Sequence, residues 1–212
     1  RELIDALHRA GKKIILVNCS GSPIGLEPET QKCEAILQAW YPGQQGGKAV
    51  AEVLFGDYNP GGRLPLTYYN SLDEIPAFDN YFVKGRTYQY FEGQPLYEFG
   101  YGLSYTKFRY KSKGVNVEQD TVKVSFEVSN TGKYDGDEVA QVYVKYPETG
   151  TYMPLKQLHG FKRVHIKKGK TSKVTIGVPK KDLRYWDEQE RKFVTPKGEY
   201  TFMVGASSED IK

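Results

Sequence analysis

Beyond Thr106 the chain is written with a period of two. Val122, Val124, Phe126 and Val128 alternate with Lys123, Ser125, Glu127 and Ser129, and Ala140, Val142 and Val144 alternate with Val139, Gln141, Tyr143 and Lys145. Successive side chains of a strand point to opposite faces of a sheet, so this spacing asks for one dry face and one wet face. Strand-like runs cover 111–117, 121–129, 138–146, 158–166, 171–178, 183–187 with 192–194, and 199–205. Turn-forming residues separate them: Asn130-Thr131-Gly132, Asp135-Gly136-Asp137, Lys168-Gly169 and Pro196-Lys197-Gly198. Short one-sided strands must stack into two sheets, because a single open sheet leaves its apolar face in water.

About seven strands within roughly 100 residues is the pattern of an immunoglobulin-like sandwich. The only cysteines, Cys19 and Cys33, both precede this region. They supply neither an intersheet disulfide nor a metal set, which favours a fibronectin type III-like version.

The first half follows another rule and reads α/β. Leu3, Ile4 and Leu7 share one face of a short helix that Gly11 stops. Lys13-Ile14-Ile15-Leu16-Val17-Asn18 and Ala35-Ile36-Leu37-Gln38-Ala39-Trp40 are continuous apolar runs, the mark of strands covered on both faces of a parallel sheet. A second helix is expected over 48–55, closed by Gly56. Arg1 falls at a helix edge with no capping Ser, Thr, Asp or Asn ahead of it. Two strands and two helices are too few for a doubly covered sheet. The expectation is an incomplete α/β sandwich segment, entered partway through a larger domain.

Between these halves lies a stretch rich in Gly, Pro and Tyr. Seven tyrosines occupy positions 81, 88, 90, 97, 101, 105 and 110. A long run without regular structure must pack on another surface, and tyrosine, with a large ring and a polar tip, suits an interdomain seam. The expected division is 1–70 for the α/β portion, 71–105 for a Tyr/Gly-rich linker packing on the domains, and 106–212 for the β-sandwich.

The chain carries a net charge of +4 and a mean hydropathy of -0.60. Residues 1–105 hold 9 Lys and Arg against 12 Asp and Glu, and residues 106–212 hold 21 against 14. The basic residues of the second half alternate with apolar ones along strands, as in Lys173-Val174-Thr175-Ile176, which describes a solvated sheet face and not a nucleic-acid track. No window approaches the roughly 18 apolar residues of a membrane span.

The chemical motifs are weak. His8, His159 and His165 have no ligand partners at metal spacing, and the last two, six apart in one strand, should share a structural face. Asn18-Cys19-Ser20-Gly21-Ser22 follows a strand but is not a nucleophile elbow; a tight turn is the expectation, with Cys19 and Cys33 as small core or near-core residues. Gly43-Gln44-Gln45-Gly46-Gly47-Lys48 lacks the order of a phosphate loop, and its glycines are expected to permit close helix–sheet packing. Asp187-Glu188-Gln189-Glu190 reads as an exposed hairpin tip. No catalytic, substrate-binding or metal residue is assigned, and no cofactor is implied.

Longer strings are more specific. Ala35-Ile36-Leu37-Gln38-Ala39-Trp40-Tyr41-Pro42-Gly43-Gln44-Gln45-Gly46-Gly47 leads into Gly56-Asp57-Tyr58-Asn59-Pro60-Gly61-Gly62-Arg63-Leu64-Pro65. Gly85-Arg86-Thr87-Tyr88-Gln89-Tyr90-Phe91 and Pro95-Leu96-Tyr97-Glu98-Phe99-Gly100-Tyr101-Gly102-Leu103-Ser104-Tyr105-Thr106 follow. Together they resemble the C-terminal part of glycoside hydrolase family 3, the β-glucosidases and β-xylosidases. Glu138-Val139-Ala140-Gln141-Val142-Tyr143 and Leu158-His159-Gly160-Phe161-Lys162-Arg163-Val164 resemble that family's fibronectin type III-like domain. The resemblance spans the whole chain, and Gly85-Arg86-Thr87-Tyr88 leans toward the xylosidase type.

It implies an upstream catalytic barrel as partner and a retaining exo-acting mechanism with an aspartate nucleophile and a glutamate acid/base, both upstream of Arg1. It further implies an oligosaccharide substrate with terminal β-linked xylose or glucose. This chain would then be a structural, inactive fragment of an enzyme commonly exported to the periplasm or the extracellular space. Arg86, Tyr88 and Tyr90 are of types that contact sugars, but packing of the linker across the other domains is the favoured account of them. The rival reading is a stand-alone carbohydrate-binding or adhesion module that uses the tyrosine-rich stretch as its surface.

Overall fold

A computed structural model describes residues 1–150 and 152–211. The α/β portion opens with helix α1 (Glu2–Arg9), followed by strand β1 (Ile15–Asn18), a short helix α2 (Glu27–Thr30), strand β2 (Ala35–Gln38) and helix α3 (Gly46–Phe55), which ends at Gly56. Strands β1 and β2 pair in parallel, with Leu16 opposite Ile36 and Val17 opposite Leu37. Helix α2 had no periodic signal; Pro28 sits in its first turn, where a missing N–H costs nothing. The two strands expected to be covered on both faces are only half-buried, and α1 buries no residue. With only two strands, the sheet offers its helices little surface to cover.

The all-β portion follows the period of two. Strands β3 (Phe108–Val117), β4 (Thr121–Asn130) and β7 (Thr171–Pro179) form one antiparallel sheet in the order β3-β4-β7. Strands β5 (Gly136–Lys145), β6 (Gln157–Ile166) and β10 (Thr201–Gly205) form the other, in the order β10-β5-β6. Between them lies one apolar core that includes Val124, Phe126, Val128, Ala140, Val142, Val144, Val174, Ile176, Val178 and Val204. These are the alternating residues of the sequence, and this is the expected fibronectin type III-like sandwich. Strands β8 (Tyr185–Asp187) and β9 (Lys192–Val194) form the separate hairpin, with Asp187 accepting from the N–H groups of Gln189 and Glu190 at its tip.

Three expectations are corrected. The first sandwich strand begins at Phe108, because Tyr110, pointing into the core, extends the pattern backward. Leu183 belongs to a 3₁₀ turn, 180–183, that plugs the core and not to a strand. His159 and His165 do not keep a common face, since a bulge opposite Val142 and Tyr143 resets the alternation of β6. His159 turns to the Tyr146 hydroxyl at 2.8 Å, while His165 Nδ1 meets Asp137 Oδ1 at 2.7 Å.

Strand β5 departs most from the simple pattern. Ala140, Val142 and Val144 face the core as expected, but Gln141 and Tyr143, on the face expected to be wet, are also buried. The cover comes from the tyrosine-rich stretch, which crosses the outer face of this sheet.

Candidate functional site

Residues 57–105 form a long crossing closed at its neck, irregular except for the turn Leu72–Glu74 and the short helix α4 (Thr87–Tyr90). The Leu64 N–H donates to the Tyr101 carbonyl at 2.8 Å, and the Gly100 N–H donates to the Leu64 carbonyl at 2.7 Å. Tyr68 and Tyr97 exchange both backbone bonds further out, at 2.8 and 3.2 Å. This ribbon satisfies backbone groups that would otherwise be buried bare beneath the crossing. Two glycines set its closeness to the sheet. A Cβ on Gly100, whose φ is 83°, would lie 2.3 Å from Gln141 Oε1, and one on Gly102 would lie 2.2 Å from the Gly62 carbonyl oxygen. Only glycine fits at either place.

Three polar anchors hold the crossing to the sandwich. In the first, Arg63 Nη2 donates to Glu138 Oε2 at 2.6 Å, and the Tyr110 hydroxyl donates to Glu138 Oε1 at 2.6 Å. The side chains of Arg63 and Glu138 are 9% and 2% exposed. Burial pushes the Glu138 carboxyl above its usual range, opposed by the Arg63 guanidinium and the Tyr110 hydroxyl, and burial beside Glu138 pushes the Tyr110 phenol up strongly.

The second anchor centres on Gln141. Its amide nitrogen donates to the carbonyls of Gly100 and Ala206, and its Oε1 accepts from the Tyr143 hydroxyl. Tyr143 is in turn covered by Tyr88, edge-on at 5.9 Å, and Tyr88 stacks on Phe99 at 4.2 Å. The Tyr88 hydroxyl accepts from the Leu158 N–H at 3.1 Å.

The third anchor is more exposed. Arg163 donates to Asp137 and, at 2.6 Å, to the Tyr58 hydroxyl, while Asn59 accepts from Ser104 and Tyr105 and donates to the Asp135 carbonyl. Burial would raise the Asp137 carboxyl, but hydrogen bonds from His165 and Arg163 outweigh it and hold the group below its ordinary value of 3.8. The Tyr105 hydroxyl, donating to the Val53 carbonyl at 2.6 Å, ties α3 to the same seam.

The residues singled out in the sequence have structural employment. Arg86 donates to the carbonyls of Pro76, Ala77 and Asn80, Tyr88 is wedged as described, and Tyr90 stacks on Tyr152 at 5.2 Å. The loop after β1 is a turn, with Asn18 donating to Ser20 Oγ and Gln38 donating to the Ser20 carbonyl. Cys19 is exposed, contrary to the near-core expectation, while Cys33 is half-buried with its thiol pushed up by burial. Of Gly43, Gly46 and Gly47 at the start of α3, only Gly46 is closely packed, against Pro42 of the preceding loop and not against the sheet. Among the described residues, no group of three His, Cys, Asp or Glu could hold a metal ion, and no helix is long and apolar enough to cross a membrane. Sequence reasoning missed Arg63, Glu138 and Gln141. The one available signal was Glu138, in phase with the apolar face of its strand, which asks for a buried partner.

The arrangement is a brace: ion pair, amide hub and aromatic wedge join the loop, the α/β portion and the sandwich. Known proteins share this fold. Residues 1–105 match the Glycosyl hydrolase family 3 C-terminal domain, and residues 138–208 match the Fibronectin type III-like domain. The chain is 47% identical over 212 residues to a protein of Xylanibacter ruminicola named xylan 1,4-beta-xylosidase, covering 99% of this chain and 24% of that one. It is 37% identical to the periplasmic beta-glucosidase of Salmonella typhimurium, covering 100% of this chain and 30% of that one. It superposes on the crystal structure of the beta-glucosidase of Kluyveromyces marxianus with a TM-score of 0.92 at 36% identity, over 100% of this chain and 27% of that one. For beta-glucosidase 3B of Thermotoga neapolitana the TM-score is 0.90 at 34% identity, over 100% and 32%. The chain thus spans about a quarter to a third of the length of these relatives. With both domain types present in order and the fold reproduced along its length, the chain belongs to glycoside hydrolase family 3 and carries that family's C-terminal domain and its fibronectin type III-like domain.

Proposed function

We propose that the chain is the bracing, non-catalytic portion of a retaining exo-β-glycosidase that releases terminal β-linked xylose or glucose from oligosaccharides. The observation that carries this reading is the match with the xylan 1,4-beta-xylosidase, 47% identical across 99% of the chain. That identity exceeds the 37% to the periplasmic beta-glucosidase, so xylosides come first among candidate substrates.

Retaining hydrolysis needs two carboxyl groups about 5–5.5 Å apart in a cleft, one to attack and one to protonate the leaving oxygen. Among the described residues the buried carboxylates are Glu29 and Glu138, and each is neutralised by an arginine, Arg1 and Arg63. One surface hollow is lined by His8, Lys12, Lys32, Cys33 and Glu34, and another by Val115, Val117, Val122, Leu183, Phe202 and Glu199 among others; neither offers a carboxyl pair. On this reading the nucleophilic aspartate belongs to a catalytic barrel, this chain's partner, and the acid/base glutamate to the α/β sandwich domain, both elsewhere in the parent polypeptide. The divisions at 70/71 and 105/106 are part of the same proposal. Export of the parent is supported by the relative named as periplasmic.

The test is hydrolysis of aryl-β-xyloside and aryl-β-glucoside. The parent turns over both or the xyloside alone, and the purified 212-residue chain turns over neither. Turnover by the pure chain overturns the placement of the catalytic pair, and saturable micromolar binding of xylo-oligosaccharides lost in Tyr88→Ala would favour a binding module instead.

A further inference from the structure

The loop 76–86 behaves unlike the rest of the crossing. Tyr68, Tyr88, Tyr97 and Tyr101 pack back onto neighbouring rings. Phe78, Tyr81 and Phe82 do the opposite and are 96%, 91% and 80% exposed, with Leu72 just outside the loop at 83%. The backbone that displays them is nonetheless tied down. Arg86 Nη2 donates to the carbonyls of Pro76, Ala77 and Asn80 at 3.2, 2.9 and 2.8 Å, clasping the loop across its base. Inside it the Asn80 N–H donates to the Ala77 carbonyl, the Arg86 N–H to the Val83 carbonyl, and the Phe82 N–H to Asn80 Oδ1. Before it, Ser71 and Glu74 form a capping box around the turn 72–74.

A loop fixed by its own hydrogen bonds while its largest apolar groups face water has already met the ordering cost of binding. Exposed aromatic clusters mark interaction surfaces, and rigid aromatic side chains are the residues that dominate their energetics. Apart from Arg86, whose guanidinium is engaged by backbone carbonyls of the loop, its charges are Asp79 and Lys84, of opposite sign, so a partner recognises it by shape and apolarity and not by charge.

We infer that loop 76–86 is a docking ridge whose occupant is an apolar groove on the catalytic portion of the same polypeptide. This rests on the parent reading given above. The occupant is intramolecular because the matched stretch makes up only 24% and 30% of two relatives, so about three-quarters of such a polypeptide lies outside it. A tethered partner is held at an effective concentration that a free one rarely reaches. Phe78 and Phe82 are the anchors, Tyr81 contributes its ring with its hydroxyl at the rim, and Arg86 is the positioning residue that holds the ridge in shape.

The experiment compares the parent with the 212-residue chain by hydrogen exchange, and both with their Phe78→Ser/Phe82→Ser variants by thermal unfolding. Amides of 78–83 exchange at least tenfold more slowly in the parent than in the chain alone. The double substitution lowers the parent's midpoint by several degrees and leaves that of the chain within about 1 °C. Equal exchange rates in the two, or an unmoved parent midpoint, overturn the inference. A concentration-dependent dimer of the 212-residue chain that the double substitution abolishes also overturns it, assigning the ridge to a second copy. Aryl-glycoside hydrolysis on the same parent sample separates the two readings. An active parent without protection at 78–83 removes the ridge alone, and a protected but inactive parent removes the glycosidase reading alone.

Discussion

Glu138 sits where an alternating strand should hold an apolar residue, and it is tolerable there because Arg63 arrives from 75 positions earlier in the chain. Removing one member of a buried ion pair strands the other, at a cost of about 3–5 kcal/mol, whereas replacing the set with apolar groups is often neutral. Arg63→Met should therefore lower stability toward urea by about that amount. Arg63→Met/Glu138→Leu/Tyr110→Phe should recover most of it; a triple variant as unstable as the single would show that the cluster's worth is not electrostatic. Asp137 makes a pH-dependent contribution. Its folded pKa is depressed, so its stabilisation is present above the unfolded value of 3.8 and is lost as pH falls through the lower folded value. Asp137→Asn should be less stable than wild type at neutral pH and converge with it in strong acid, as read by urea midpoints across pH. The buried phenols work from the other side. Burial pushes Tyr146 up to about 12 and raises Tyr110 and Tyr143 in the same direction, so the stability they lend is full below pH 10 and is lost as pH climbs beyond it. Ultraviolet titration should show these phenolates appearing together in a steep step as the sandwich unfolds, and Tyr146→Phe should shift that step to higher pH.

Strand β5 is the element on which both layers depend, because its two faces are buried by different partners. The core face was legible from the spacing of Ala140, Val142 and Val144 alone, since alternation reports burial directly. The burial of Gln141 and Tyr143 was not legible, because what covers them lies some 40 to 55 residues away in a stretch with no period. The β6 bulge, which moves His159 toward Tyr146, did carry a local mark in Gly160 beside it, since a glycine inside a strand pattern often flags a bulge. At the neck of the crossing, Gly102→Ala would place a methyl 2.2 Å from the Gly62 carbonyl, and backbone on both sides leaves neither free to yield. A loss of about 1–3 kcal/mol is expected, the range for forced overpacking. It should be accompanied by faster exchange of the Leu64 and Gly100 amides, which form the neck.

Across the whole molecule, protection should be graded. Amides of β4, β5 and β7, which carry most of the core, should exchange only through global unfolding, and those of α1, which buries nothing, should exchange within minutes. Uniform protection from end to end would contradict the half-buried character of the α/β portion. The two-part architecture was readable because each half keeps its own period, continuous apolar runs before residue 56 and strict alternation after 106. The seam was foreseen only as a belt of tyrosines; its anchors, Arg63, Asn59 and Gln141, come from distant positions that no local pattern connects.

The dependence of β5 on residues 57–105 decides where this polypeptide can be divided. A cut at the visible start of the sandwich would take away Arg63, Tyr88 and Gly100 together. Glu138 would then be sealed in without a counterion, and Tyr143 would be laid open to water. The smallest piece worth expressing on its own begins near Asp57, so that the strap travels with the strand it holds down.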